Sequence, residues 1–234
     1  MSRAGNFTSS QIWKLMTSNK KGDSFGAPGM KYIKQVAYER QLGRSINTET
    51  SSRPTSWGSF VERYVFEQLP TEYQLVSKER LKHSHIAYWS GMPDLIKGNV
   101  VCDIKCPFSL EVFMDKIIAL EDINTYKEDF PEDYWQHVSN SILLGDHVNE
   151  FEAIIFVPKK SDISLILEMA RNFDGDQNKI SWMNWADLDE FPYLPDECTF
   201  KSINIFKHEI PMTDKIVLID RVRMANKLIS ENAY

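Results

Sequence analysis

Cysteine is scarce in this 234-residue chain, with only Cys102, Cys106 and Cys198. An odd, small number makes a poor disulfide framework and suits a reducing compartment. No apolar run approaches the ~18–20 residues that span a bilayer. The opening MSRAGNFTSS lacks the apolar core of a secretory signal, so no membrane role and a cytoplasmic location are expected. Internal repeats, low-complexity segments and linkers are absent, which excludes solenoids and leaves one domain over residues 1–234 as the expectation.

Several chemistries are missing as well. There is no GxxxxGK[ST] phosphate loop and no G-x-S-x-G nucleophile turn. DGDQN at 174–178 places Lys179 where a calcium loop needs glycine and Trp185 where it needs glutamate. His83 and His85 share a face if HSHIAYW (83–89) is a strand, yet no third ligand follows at zinc-like spacing. Cys102 and Cys106 lack the second pair that an iron–sulfur cluster requires. Trp182 and Trp185 could stack bases, although aromatics in such a segment more commonly pin a loop to the core.

Charge is unevenly spread. Residues 1–60 hold nine basic residues against three acidic ones, a local balance of +6 that leaves −12 for the rest of a chain whose net charge is −6. Segmental asymmetry of this kind is a hint of polyanion binding, or simply of solvated helices.

Periodicity and punctuation outline the elements. Helices are expected over about 10–18, over 29–42 ended by Gly43, and from Pro54 to Leu69 ahead of Pro70, with Phe60, Tyr64 and Val65 on the buried side of the last. Strands follow at 83–89 and in a hairpin around 91–107. Further helices are expected near 109–119, from Pro131 to Gly145 and over 161–171. EFEAIIFVP (150–158) reads as a buried strand, 172–200 as a loop-rich section, 201–209 as a strand, and the tail as a closing helix with Thr213 as its N-cap. Helices, then a mixed sheet, then helices again make an α/β or α+β sandwich.

The hairpin GMPDLIKGNVVCDIKCP carries the chemistry. With Gly98-Asn99 as a two-residue turn, Lys97 pairs with Val100, Ile96 with Val101, Leu95 with Cys102 and Asp94 with Asp103. Like charges facing one another across a sheet destabilise it, so something must offset the repulsion. Period-two alternation puts Asp103 and Lys105 on one face and Cys102, Ile104 and Cys106 on the other, apolar one. Hard divalent cations take oxygen ligands, and Mg²⁺ is held by one or two carboxylates plus waters and substrate phosphate. A lysine beside such an ion can orient or help deprotonate an attacking water. A D-x-K triplet alone is commonly a surface ion pair worth about 0–1 kcal/mol; the Pro-Asp ahead of the turn and the register set this one apart. Glu62 lies one turn beyond Gly58, whose missing side chain leaves space for it to reach the same ion. Gln136 on the helix after Pro131 is a candidate for holding water or substrate.

W-G-x-x-x-E, P-D, D-I-K-C-P-F and the later Gln together resemble the PD-(D/E)XK nuclease superfamily, and within it the phage lambda exonuclease-like, viral recombinase branch. Arg3-x-Gly5-x-Phe7-Thr8-x-Ser10 is similar to that branch's R-x-G-x-I-T-x-S opening. The likeness covers about residues 3–158 in scattered blocks. It implies a restriction-endonuclease-like core and a metal-dependent 5′→3′ exonuclease on double-stranded DNA ends, working in recombination in a bacterial or phage-infected cell. A single-strand annealing partner and a homotrimeric ring are implied too. Glu62, Asp94, Asp103 and the Ile104 carbonyl would hold Mg²⁺, with Mn²⁺ as a substitute; Lys105 and Gln136 would serve the nucleophilic water; Arg3 and Ser10 would grip the terminal phosphate. The sequence departs from the branch at Met92, where a phosphate-binding serine is expected, and at Glu111, where a basic residue is. A related endonuclease, a Cas4-like nuclease (which would need more cysteines) and an inactive DNA-end-binding scaffold are the rival expectations.

Overall fold

The computed structural model describes residues 3–47, 52–76 and 79–231. In chain order the elements are β1 (Phe7–Thr8), a 3-10 helix (Ser9–Met16), α1 (Ala27–Leu42), α2 (Arg53–Gln68), β2 (Gln74–Leu75), β3 (Leu81–Lys82), β4 (Trp89–Gly91), β5 (Leu95–Lys97), β6 (Val100–Lys105), α3 (Leu110–Ala119), α4 (Ile123–Asp129), α5 (Pro131–Leu144), β7 (Glu150–Phe156), α6 (Ile163–Arg171), α7 (Gln177–Ile180), β8 (Ile203–Glu209) and α8 (Met212–Glu231). A five-stranded sheet runs β2-β5-β6-β7-β8, with β6 and β7 parallel and the other pairs antiparallel. A small second sheet, β1-β4-β3, lies along the N-terminal segment.

β6 is the axis of the molecule. Its residues from Val100 to Ile104 are all buried, because helices cover both faces of a sheet whose centre is parallel. On one face Val100, Cys102, Ile104, Ile154 and Phe156 pack with Trp57, Phe60, Val61, Tyr64 and Val65 of α2 and with Ile163 and Ile166 of α6. On the other, Val101, Phe151, Ala153 and Ile155 meet Tyr134 and Val138 of α5 and Leu218 and Val222 of α8. Full burial of each such large apolar side chain contributes about 1.5–3 kcal/mol. The polar face of β6 expected from sequence is therefore not a solvated surface; it is roofed by α5.

Local signals explain the helix starts. Ser52 accepts from Thr55 N–H and Pro54 sits in the first turn of α2. Gly43, at φ 66°, closes α1 in a left-handed conformation. A Cβ at Gly91 would run into Ser9 Oγ, Asn140 Oδ1 and Leu143, so glycine lets β4 lie against the 3-10 helix and α5.

Three expectations need correction. HSHIAYW is not a strand: His83 Nδ1 accepts the backbone N–H groups of His85 and Ile86, both at 3.0 Å, which bends the chain away from a ladder, and only Trp89 joins β4. The helix expected from 10 to 18 is a 3-10 helix that starts at Ser9. Thr213 lies inside α8, because the Pro211 carbonyl already accepts from Asp214 and Lys215. The 172–200 section is loop-rich as expected, with only α7 and short 3-10 turns within it.

Candidate active site

The hairpin ladder pairs Lys97 with Val100, Ile96 with Val101 and Leu95 with Cys102, as its turn requires. Asp94 and Asp103 do not form a fourth rung. The Asp94 carboxylate instead accepts the backbone N–H of Ile104 through Oδ2 at 3.0 Å. Its proximity to Asp103 survives in the electrostatics. Burial, and then the charges of Asp103 and Glu62, hold the Asp94 carboxyl well above its ordinary range.

Alternation along β6 turns Asp103 and Lys105 toward α5. Lys105 Nζ lies 2.6 Å from Asp103 Oδ2. Gln136 bridges the two, donating through Nε2 to Asp103 Oδ1 at 2.9 Å and accepting from Lys105 Nζ through Oε1 at 3.2 Å. Asp103 is only 1% exposed, and its Oδ2 has no hydrogen-bond partner apart from the ion contact with Lys105. Glu62 reaches the cluster from α2: burial, and then Asp103, push its carboxyl up to about 7. A Cβ at Gly58 would meet only the Cys106 carbonyl oxygen, at 3.8 Å, so the room expected beside Glu62 is present.

Sequence reasoning missed Asp133. It stands three residues before Gln136, on the same side of α5, with Oδ1 3.7 Å from Lys105 Nζ and Oδ2 bonded to Lys116. Burial opposes its ionisation, but Lys105 and Lys116 outweigh that and lower its pKa. Burial likewise works against the Lys105 ammonium, yet Asp103, Asp133 and Asp94 raise its pKa above the usual lysine value. At neutral pH Lys105 is a fixed cation among acids. The DYWQ spacing held this signal, but an acid in the first turn also simply favours a helix start.

Among the described residues, no three His, Cys, Asp or Glu side chains are gathered tightly enough to hold a metal as they stand. The donor set nevertheless fits a hard divalent cation in chemistry: three carboxylates, two of them with raised pKa values, with Asp103 buried beside the others. A cation between them would relieve the repulsion that burial amplifies.

Arg3 lines a polar cavity of about 220 Å³ with Gln11, Lys14, Tyr32 and Gln35, whereas Ser10 is exposed and outside that lining. Met92 and Glu111 are exposed as well.

A mixed sheet flanked by helices, with acids and a lysine on its central hairpin, is the α/β, restriction-endonuclease-like architecture expected. Three solved structures that share this fold are of exonucleases. LHK-Exo in complex with dAMP is 15% identical, with a TM-score of 0.62 over 98% of this chain and 90% of that one. A second structure of LHK-Exo, an alkaline exonuclease from Laribacter hongkongensis, is 14% identical with a TM-score of 0.60 over the same shares. A phage related exonuclease from Haemophilus somnus 129PT is 12% identical, with a TM-score of 0.60 over 97% of this chain and 94% of that one. At these identities the likeness is one of fold. No protein-family model and no curated protein matches the sequence. Among the described residues, no helix is long and apolar enough to cross a membrane.

Proposed function

We propose that this protein is a metal-dependent deoxyribonuclease, an exonuclease that degrades double-stranded DNA from its ends in the 5′→3′ direction during recombination. The observation that carries the reading is the convergence of Glu62, Asp94, Asp103, Lys105 and Gln136 from three separate elements at one end of the central strands. A purely structural ion pair would need only two of them.

Glu62, Asp94 and Asp103, with the Ile104 carbonyl, would hold Mg²⁺ or Mn²⁺. When bound, the ion supplies positive charge that polarises the phosphodiester and lowers the pKa of water. Lys105, held protonated by its acidic neighbours, orients the attacking water and offsets charge developing on the phosphate, rather than removing a proton. Gln136 fixes the Lys105 and Asp103 side chains relative to one another. Asp133 keeps the lysine charged and in place. The same reading extends to a trimeric ring and a single-strand annealing partner.

The test is digestion of end-labelled linear duplex, with and without a 5′-phosphate, in Mg²⁺ or in chelator. Mononucleotides released from the 5′ end only in Mg²⁺ are expected. Cutting of covalently closed circular DNA would show an endonuclease instead, and DNA binding without any Mg²⁺-dependent product would show an inactive scaffold.

A further inference from the structure

Between the 85–88 loop, Arg40 of α1 and the second half of α8 lies a cavity of about 460 Å³ that shares no residue with the acidic cluster. Arg40, His85, Arg223 and Lys227 line it together with Tyr88 and Asn226, and no acidic residue is part of the lining. Arg223 does pair with Asp220 at 3.4 Å and Lys227 with Glu231 at 3.7 Å, but these are exposed pairs along one helix, which hold weakly and yield to a stronger anion.

Tyr88 is the unusual member. Among the described residues it is the only non-glycine with positive φ, at 61°, a conformation that L side chains rarely adopt. The residue is 53% exposed, so core packing does not account for a bulky side chain on that backbone. The site is rigid around it. The Tyr88 carbonyl accepts from Phe7 N–H at 2.8 Å, and the Arg40 guanidinium stacks 3.9 Å from the ring centroid. Arg40 in turn donates to the Gly5 carbonyl and to Asn226 Oδ1, both at 2.8 Å, while Asn226 donates to the Ala87 carbonyl at 3.2 Å.

A fixed, exposed aromatic ring flanked by cations is what unpaired nucleotides bind. Each base offers a π-face for stacking and each linkage a negative charge, whereas a duplex keeps its base faces stacked inside. The volume lies within the ~300–1,000 Å³ of ordinary ligand sites and accommodates a nucleotide with the strand continuing past it. We propose that this groove is a binding site for single-stranded DNA, with a base on Tyr88 and successive phosphates on Arg223, Lys227 and His85. It would keep hold of the strand left uncut when its complement is digested. That origin of the strand rests on the proposed exonuclease activity; the binding itself does not.

The experiment uses the full chain in chelator, with fluorescence anisotropy of labelled oligo-dT titrated from 50 to 200 mM salt. A duplex dumbbell, closed at both ends by non-nucleotide linkers, serves as the comparison. Tyr88→Ala should weaken oligo-dT binding about 5- to 150-fold, Tyr88→Phe should restore it, and the dumbbell affinity should not move. Tyr88→Gly, which relieves the backbone, should lose oligo-dT binding while melting no lower than the native protein. Arg223→Ala with Lys227→Ala should make the slope of log affinity against log salt shallower by about 1.4, from two phosphate contacts. Unchanged oligo-dT binding in these variants, or an equal loss on the dumbbell, overturns the proposal. Digestion of linear duplex is scored separately, so an inactive protein whose oligo-dT binding still depends on Tyr88 would refute the nuclease reading and leave the groove standing.

Discussion

Lys105 Nζ lies 2.6 Å from Asp103 Oδ2, two residues apart on one strand and on one face of it. The strand is central and covered on both sides, leaving Asp103 buried and Lys105 only partly exposed, so this is not an ordinary surface pair. Burying two charges costs several kcal/mol per ion, and replacing such a pair with apolar groups is commonly neutral or stabilising. Its presence in a sheet core otherwise built from Val, Ile and Cys points to a use other than stability.

Removing the lysine tests that use. Lys105→Ala leaves Asp103 and Asp133 facing each other's charge without their shared cation, which should cost about 3 kcal/mol of stability. Cleavage per folded molecule should fall at least ~10²-fold. Thermal melting and end-labelled digestion in the same preparation separate the two effects, and wild-type turnover would sink the nuclease reading.

Gln136→Leu keeps the side chain's bulk but deletes both of its bonds. Because Gln136 orients residues rather than bonding to substrate, activity should drop about 10- to 100-fold. Leaving Asp103 Oδ1 without its donor should cost about 1–3 kcal/mol. Single-turnover kinetics at saturating Mg²⁺ check the first effect, and urea melts the second.

Asp133→Asn removes one of the acids that hold the Lys105 proton. The ammonium should then be lost at lower pH, and the alkaline limb of the cleavage profile should move toward neutrality. An alkaline limb that stays in place would remove Asp133 from the site.

How much of this was legible in the sequence depended on whether local chemistry or tertiary context decided each feature. The hairpin register was readable because Gly98-Asn99 fixes the turn and alternation then places every side chain. The Glu62 and Gln136 positions followed from helical spacing beside punctuating prolines. The failures occurred where a side chain competed with the backbone pattern. His83 closes a turn within an apparently alternating strand, and the Asp94 carboxylate finds the Ile104 N–H instead of opposing Asp103. Asp133 was hidden for another reason: its role depends on Lys116, brought in from α3 by the fold.

Glu62 links metal binding to pH. Its carboxyl, pushed up to about 7 by burial and by Asp103, must lose a proton before it can serve as a ligand. Mg²⁺ affinity should therefore fall as pH drops from 8 to 6, with protons released on binding near pH 7. Glu62→Gln should bind more weakly and release fewer protons, the remainder coming from Asp94, whose carboxyl is also raised. Calorimetry in buffers of different ionisation enthalpy measures the release; pH-independent binding would rule out Glu62 as a ligand.

His137, fully buried on α5 and stacked 4.2 Å from the Phe151 ring, carries the opposite linkage. Its Nε2 lies 3.5 Å from the Tyr126 hydroxyl and its Nδ1 has no hydrogen-bond partner, so burial pushes its pKa down from the usual 6.5 to about 4. The unfolded chain takes up the proton first. The stability that neutral His137 contributes is therefore complete above about pH 6.5 and lost as pH falls toward 4, about 3 kcal/mol in full. Glu62 acts in the other sense, stabilising the fold on the acid side of about 7, so the two partly cancel in the native protein. Subtracting the urea-melt stability of His137→Phe, which keeps the stacked shape and cannot titrate, isolates the histidine. The native protein should lose ground against that variant with each step from pH 6.5 to 4.5. Two parallel curves would mean that His137 does not bind its proton differently in the folded and unfolded chain.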